Sequence, residues 1–104
     1  MELAGKRVVI TGASRGIGAE IAKAFASAGS QVVVSARTES AITKLADEID
    51  GIAVPLDAND PENVRTYIDR VESIAGPIDI LINNAGIEKS TLVEDITEHE
   101  IEET

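Results

Sequence analysis

Residues Val8–Gly18 read VVITGASRGIG, and this stretch decides the fold of the chain. It begins with β-branched apolar residues, which favour a buried strand, and it continues into a loop that contains Gly12, Gly16 and Gly18. A helical pattern follows the loop at once. Free backbone N–H groups and the helix dipole give the start of such a helix a partial positive charge. The order of strand, glycine-rich turn and helix therefore predicts a phosphate-binding loop, with a purely structural turn as the alternative.

Each glycine of this loop has its own expected task. Gly12 can leave the strand with a positive φ, Gly16 lets the backbone approach a pyrophosphate, and Gly18 lets the helix pack closely on the strand. The spacing TGxxxGxG differs from the commoner GxGxxG, and the loop also contains Ser14 and Arg15. We therefore expect this loop to hold a cofactor.

Strand and helix patterns alternate along the rest of the chain with short connections. The predicted strands are residues 7–11, 31–36, 52–56 and 78–82. The predicted helices are residues 16–28, a segment from Thr38 or Ser40 to Gly51, a segment from Asp60 to Gly76, and a final helix with a capping box of Thr97 and Glu100. Apolar residues at helical spacing mark the expected inner stripes of the first and third helices: Ile17, Ile21, Phe25 and Ala28, and Val64, Tyr67, Ile68, Val71 and Ile74.

This alternation predicts an α/β fold, a doubly wound parallel sheet with helices on both faces. The expected domain is a half-Rossmann arrangement of four strands in the order 3-2-1-4, in which residues 1–104 form a single dinucleotide-binding half-domain. The third strand then lies at an edge of the sheet. That position suits Pro55, which cannot donate a backbone hydrogen bond.

The composition excludes several classes of protein. The chain has 19 Asp and Glu against 9 Lys and Arg, a net charge of −10, which argues against binding a nucleic-acid backbone. It has no cysteine and no visible signal peptide. It also lacks an apolar run of about 18 residues, the length that a membrane span needs. We therefore expect a cytoplasmic protein that binds no nucleic acid, no membrane and no metal, with its acidic C-terminal segment as a solvated helix face.

Three motifs occur together in the order and spacing of a known family. They are TGASRGIG at residues 11–18, Asp57 after the third strand, and NNAG at residues 83–86. With them the chain resembles the N-terminal half of a short-chain dehydrogenase/reductase, most of all the 3-oxoacyl-acyl-carrier-protein reductase type. The resemblance covers the chain from about Gly5 to Thr97.

The resemblance implies roles for the matching positions. It places one group of residues around the pyrophosphate and the adenosine ribose: Gly12, Ser14, Arg15, Ile17 and Gly18. Gly16 would set the shape of the loop. Asp57 would accept a hydrogen bond from the adenine amino group, and Ala58 would pack beside the ring. A second group would line the nicotinamide-side ribose: Asn83, Ala85 and Gly86. Asn84 would instead tie the fourth strand to its neighbours.

The choice of cofactor depends on the residues after the second strand. A site for NAD usually has an Asp or Glu there, which binds both ribose hydroxyls and repels a 2′-phosphate. This chain has Ala36, followed by Arg37 and Thr38. Arg37 and Arg15 could clamp a 2′-phosphate through charge-assisted hydrogen bonds, which favours NADP, with NAD as the second choice. The alternative is two arginines that are merely exposed to solvent.

The catalytic residues of the family have no counterpart in this chain. The family uses a Tyr-x-x-x-Lys pair, but Tyr67 is the single tyrosine and Val71 stands four residues after it. His99 has no nucleophile or metal-ligand pattern around it. We therefore expect a cofactor-binding half without catalysis of its own, as a minimal or designed fragment would be. The alternatives are an oxidoreductase completed by another chain and a structural scaffold that binds no cofactor.

The fourth strand predicts the mode of assembly. Without a fifth strand, residues 78–83 would form an open edge with unpaired backbone groups beside the apolar Ile80, Leu81 and Ile82. We expect the chain to cover this edge as a symmetric homodimer.

Overall fold

The computed structural model describes residues 2–84. Four strands and four helices follow one another along this part of the chain: β1 (Arg7–Thr11), α1 (Gly16–Ser27), β2 (Gln31–Ser35), α2 (Glu39–Ile49), β3 (Ile52–Ala53), α3 (Pro61–Arg65), α4 (Tyr67–Ala75) and β4 (Ile80–Asn83). The predicted final helix, the acidic C-terminal segment and the predicted site residues Ala85 and Gly86 lie outside the described residues.

The strands form one parallel sheet in the order β3-β2-β1-β4. The predicted doubly wound α/β fold and its strand order are therefore confirmed. In the register of the sheet, Val9 lies between Val33 on β2 and Leu81 on β4.

Both faces of the two central strands are buried, as their unbroken apolar runs predict for a parallel sheet. Val8, Ile10, Val32 and Val34 pack against α1 and α2 on one face. On the other face Val9 and Val33 pack against Tyr67 and Val71 of α4. Helices on both faces thus leave the ends of the strands as the accessible parts of the sheet.

The third strand is shorter than predicted, but its pairing continues past its end. The backbone N–H of Val54 donates to the Val34 carbonyl at 3.0 Å, and that of Leu56 donates to the Ala36 carbonyl at 3.1 Å. Successive residues of a strand direct their backbone N–H groups to opposite edges. Since the N–H groups of Val54 and Leu56 point toward β2, the ring nitrogen of Pro55 lies on the outer edge. The expectation that Pro55 occupies an edge position is confirmed.

The predicted third helix is in fact two helices. Asp60 caps α3 as predicted, since its side chain accepts hydrogen bonds from the N–H groups of Glu62 and Asn63. Thr66 then interrupts the helix, with its hydroxyl donating to the Glu62 carbonyl at 3.1 Å. A threonine side chain that bonds to the preceding turn competes with the helical backbone pattern, and α4 begins only at Tyr67.

Two predicted members of the inner stripes are exposed. Ile17 is 67% exposed, because the buried contacts of α1 begin at Gly18. Ile74 is 61% exposed, because α4 turns Val71 and Ala75 toward the sheet instead. The end of α2 also differs by one residue, since Asp50 rather than Gly51 adopts the left-handed conformation after the helix.

Candidate cofactor site

A cleft of about 520 Å³ lies at the carboxyl ends of β1, β2 and β3. Its walls come from the segments that follow these strands: Gly12, Ser14, Arg15, Ala36, Arg37, Thr38, Ala41, Leu56, Asp57, Ala58 and Asn59. Ligands of open α/β sheets bind at this end of the strands, and clefts of about 300 to 1,000 Å³ are typical of small-molecule sites. The structure therefore brings six of the predicted site residues into one cleft: Gly12, Ser14, Arg15, Arg37, Asp57 and Ala58.

The glycine-rich loop leaves the sheet as the sequence predicts. Gly12 has a φ of 65° and Gly16 a φ of 62°. The N–H of Ala13 donates to the Ser35 carbonyl at 3.1 Å, which fixes the loop to the end of β2. Nothing lies within 4 Å of the position that a Cβ of Gly16 would take. The backbone at Gly16 is thus open to a ligand.

Gly18 lies beneath the loop and is buried. A Cβ at this position would come within 2.4 Å of the Gly12 carbonyl oxygen and within 2.8 Å of Asn84 Nδ2. Asn84 is itself buried, and its side-chain amide donates to the Gly12 carbonyl at 3.0 Å. Gly18 therefore allows the close contact of α1 with the loop, and Asn84 ties the end of β4 to it.

Arg15 and Arg37 supply the positive charge of the cleft. Both side chains are exposed, and neither has a hydrogen bond or an ion pair with any residue in the range 2–84. Ala36 occupies the position directly after β2, so no carboxylate stands there. Asp57 is the third charged residue among those that line the cleft. Two cations and one anion make its walls favourable to an anionic ligand.

Asp57 is held by its neighbours on both its backbone and its side chain. Its N–H donates to Asn63 Oδ1 at 2.7 Å, and its Oδ1 accepts from the N–H of Asn59 at 3.0 Å. The other carboxylate oxygen has no hydrogen bond to any part of the chain that the structure describes. That oxygen can accept a hydrogen bond from a ligand.

Four further predicted site residues are described but do not line the cleft, namely Gly16, Ile17, Gly18 and Asn83. Ile17 borders a second, shallower depression on α1, together with Gly16. Asn83 Oδ1 accepts a hydrogen bond from the Thr11 hydroxyl at 2.7 Å, which joins the ends of β4 and β1. The exposed Arg65 guanidinium is hydrogen-bonded to Glu62 on α3 and holds the pKa of that carboxyl below its ordinary value. Neither residue of this ion pair lines the cleft.

Five of the residues that line the cleft are not among the predicted site residues, namely Ala36, Thr38, Ala41, Leu56 and Asn59. Their side chains carry no charge, so composition offers no signal for them. Their positions after β2 and β3 are the usable signal, because all parallel strands end on the same side of the sheet.

Residues 2–84 contain neither a candidate metal site nor a candidate membrane span. These residues contain no group of three or more His, Asp or Glu side chains that could hold a metal ion. None of the four helices is long and apolar enough to cross a membrane.

A sequence model of the family described as short chain dehydrogenase matches residues 6–104. The chain belongs to the short-chain dehydrogenase family. Members of this family have the nicotinamide-dinucleotide-binding Rossmann fold, in agreement with the strand order and with the cleft at the ends of the strands.

Two curated relatives illustrate the match. A short chain dehydrogenase of Pseudocercospora fijiensis is 44% identical over 91 residues, which cover 83% of this chain and 29% of the relative. The 3-oxoacyl-acyl-carrier-protein reductase FabG of Escherichia coli is 35% identical over 95 residues, 89% of this chain and 39% of the relative. The chain thus spans about a third of the length of these short-chain dehydrogenases.

A solved structure shows the same likeness. The Pseudomonas aeruginosa RhlG/NADP active-site complex aligns with a TM-score of 0.76 and 31% sequence identity. The alignment covers 88% of this chain and 41% of RhlG.

Proposed function

We propose that this chain binds the adenosine and pyrophosphate part of a nicotinamide dinucleotide and prefers NADP to NAD. One observation carries the proposal: Arg15 and Arg37 line the same cleft without a protein partner in the described range, and Ala36 stands where a carboxylate would select NAD. A 2′-phosphate would give both guanidinium groups a charge-assisted partner. The RhlG structure, a complex with NADP, supports the same preference.

The residues of the cleft fit the parts of this cofactor. Gly12 and Ser14 of the cleft, with the open backbone at Gly16 further along the same loop, would hold the pyrophosphate against the start of α1. Asp57 would accept from the adenine amino group, with Ala58 beside the ring. The nicotinamide-side ribose would lie toward β4, where the resemblance assigns Asn83, Ala85 and Gly86. The bound cofactor would supply hydride transfer chemistry.

The chain alone should lack reductase activity. Tyr67 is 5% exposed, and its hydroxyl is hydrogen-bonded to Ser35 Oγ at 2.5 Å, within the core of the α4 face. A proton donor must lie within hydrogen-bond reach of its substrate, and a core tyrosine cannot. The second candidate function is an oxidoreductase completed by another chain. It is favoured by the name of the Escherichia coli relative, a 3-oxoacyl-acyl-carrier-protein reductase.

Calorimetric titration tests the main proposal. We expect NADP to bind with a dissociation constant on the order of 10 μM to 1 mM, about 4 to 7 kcal/mol, and NAD to bind more weakly. NADPH oxidation with a ketone or a 3-oxoacyl thioester should be absent. Tighter binding of NAD would overturn the NADP assignment. Turnover by the chain alone would contradict its expected lack of reductase activity. Absence of any binding would favour a structural scaffold.

We also propose that two copies associate through β4. Among residues 2–84, this strand pairs with β1 on one side only, and its apolar residues Ile80, Leu81 and Ile82 are only half-buried. A second copy would cover both the backbone groups and this apolar surface.

A further inference from the structure

The amide of Asn63 and the guanidinium of Arg70 join α3 and α4 to the segment that carries Asp57. Asn63 Oδ1 accepts from the Asp57 N–H at 2.7 Å and from Arg70 Nη2 at 3.1 Å. Arg70 Nη2 also donates to the Asn63 carbonyl at 3.0 Å, and Arg70 Nη1 donates to the Pro55 carbonyl at 2.9 Å. One guanidinium therefore fixes Pro55 directly and Asp57 through Asn63.

Arg70 is itself fixed. Its guanidinium carbon lies 5.7 Å from the centre of the Tyr67 ring, over a side chain that is buried in the core. Its Nε also approaches Thr66 Oγ1 at 3.4 Å. A planar guanidinium with stacking and several hydrogen bonds has little freedom left, so it can act as a rigid support.

The supported segment decides where the Asp57 carboxylate lies. Leu56, between the two anchored residues, is buried and pairs with β2. One oxygen of Asp57 is engaged by Asn59, and the other has no hydrogen bond within residues 2–84, while the residue itself lines the cleft. A displacement of the segment by a fraction of an ångström would weaken a hydrogen bond to this oxygen, because such bonds depend steeply on distance and angle.

We propose that Asn63 and Arg70 are positioning residues that set the specificity of the site for adenine. They touch no cofactor themselves; they hold the Asp57 carboxylate where it can accept a hydrogen bond from the exocyclic amino group of adenine. This inference rests on the proposed function, in which Asp57 faces the adenine ring.

The test compares NADP with its hypoxanthine analogue, in which an oxygen replaces the exocyclic amino group. For the parent chain we expect calorimetry to show NADP binding about tenfold more tightly, since a hydrogen bond to a charged group is lost in the analogue. Asn63→Ala and Arg70→Met should reduce this ratio to about twofold or less, mainly by weakening NADP. The ratio is the decisive quantity, because a merely structural role would change both affinities equally.

Two variants serve as controls. Asn63→Asp keeps an acceptor oxygen for the Asp57 N–H, so it should preserve the parent ratio even if its added charge weakens both dinucleotides. Arg65→Met removes an exposed arginine of α3 that is paired with Glu62 and does not line the cleft. This variant should leave the ratio of the two affinities unchanged. Urea denaturation monitors the fold of every variant. If Asn63→Ala fails to fold, Asn63→Ser is measured in its place. The serine hydroxyl is a shorter acceptor, so this variant should also lower the affinity ratio.

Each negative result of this experiment would overturn a different part of the proposal. A parent-like ratio in folded Asn63→Ala or Asn63→Ser and in Arg70→Met would overturn this inference alone. A parent that binds NADP but does not distinguish it from the analogue would remove the adenine role of Asp57, and this inference with it. A parent that binds neither dinucleotide would overturn the proposed function.

Discussion

Arg37 is the residue at which charge should choose between the two nicotinamide dinucleotides. It follows β2 directly after Ala36 and lines the cleft with an exposed guanidinium. Arg37→Asp would repel a 2′-phosphate and could accept hydrogen bonds from ribose hydroxyls. We expect NADP affinity to fall by about tenfold or more and the order of NADP and NAD to reverse, as measured by calorimetry.

Lys44→Asp is the matched control for that experiment. Lys44 is exposed on α2, so this variant makes the same change of net charge without altering a residue that lines the cleft. It should preserve the preference for NADP. Equal responses of the two variants would show that overall charge, not the position of Arg37, governs selectivity.

Tyr67 should contribute to stability and not to chemistry. Tyr67→Phe removes the hydroxyl that bonds to the fully buried Ser35 and leaves that serine without this partner. We expect the free energy of unfolding in urea to fall by about 1 to 3 kcal/mol, with NADP affinity unchanged. The double variant with Ser35→Ala should recover part of the loss. Loss of a measurable reductase activity in Tyr67→Phe would contradict the assignment of Tyr67 to the core.

The residues of the cleft differ in how far the sequence could predict them. Gly12, Arg15 and Arg37 could be identified because each lies in the loop that follows a strand, so local order along the chain fixes its place. Asn63 and Arg70 could not be identified in this way. Their partners are Asp57 and Pro55, and the contacts exist only because α3 and α4 fold back along the edge of the sheet.

At the scale of elements, the turn between β1 and α1 can be tested with a pair of glycines. Gly16 has a φ of 62° and Gly5 a φ of 79°, and neither has another atom within 4 Å of a Cβ position. Either alanine variant should therefore cost about 1 to 2 kcal/mol of stability through backbone strain alone. Gly16→Ala should also weaken NADP, because its methyl group would project into space that the cofactor needs.

Gly5→Ala thus controls for strain. It lies before β1 and away from the cleft, so NADP affinity should stay at the parent level while stability falls. Thermal unfolding and calorimetry on the same samples separate the two effects. Equal affinities of the two variants would argue against a phosphate contact at Gly16.

The sequence predicted β1 and β2 best, since an unbroken run such as Val32–Val34 suits burial on both faces and little else. It predicted the break at Thr66 not at all, because the apolar spacing of Val64, Tyr67 and Val71 continues through it. The Thr66 hydroxyl bonds to the Glu62 carbonyl of the preceding turn at this break, and such a bond carries no signal in the periodicity.

At the scale of the whole molecule, we expect a dimer through β4, which has a neighbouring strand on one side only within residues 2–84. The net charge of −10 opposes association, so added salt should tighten the dimer by screening the repulsion. Leu81→Lys or Ile82→Lys would place a charge beside this edge and should raise the dissociation constant by about tenfold or more, as measured by sedimentation.

The control for this experiment is Ile74→Lys. Ile74 is 61% exposed on α4, so the same type of substitution there should leave the dimer intact. Circular dichroism must show that the β4 variants remain folded, because Leu81 also packs against the core on the α4 face. A monomeric mass for the parent at high micromolar concentration and moderate salt would exclude the dimer.

The network around Pro55 has a consequence for the opposite edge of the sheet. Pro55 has no N–H to offer, its carbonyl is occupied by Arg70, and the next outward N–H, that of Asp57, is occupied by Asn63. A sheet that could extend at both edges would join copies head to tail into an open fibre. With the edge from Pro55 to Asp57 already satisfied from within, the proposed contact through β4 would join like edge to like edge and close after two copies. The groups that position Asp57 would thus also protect the protein from polymerisation.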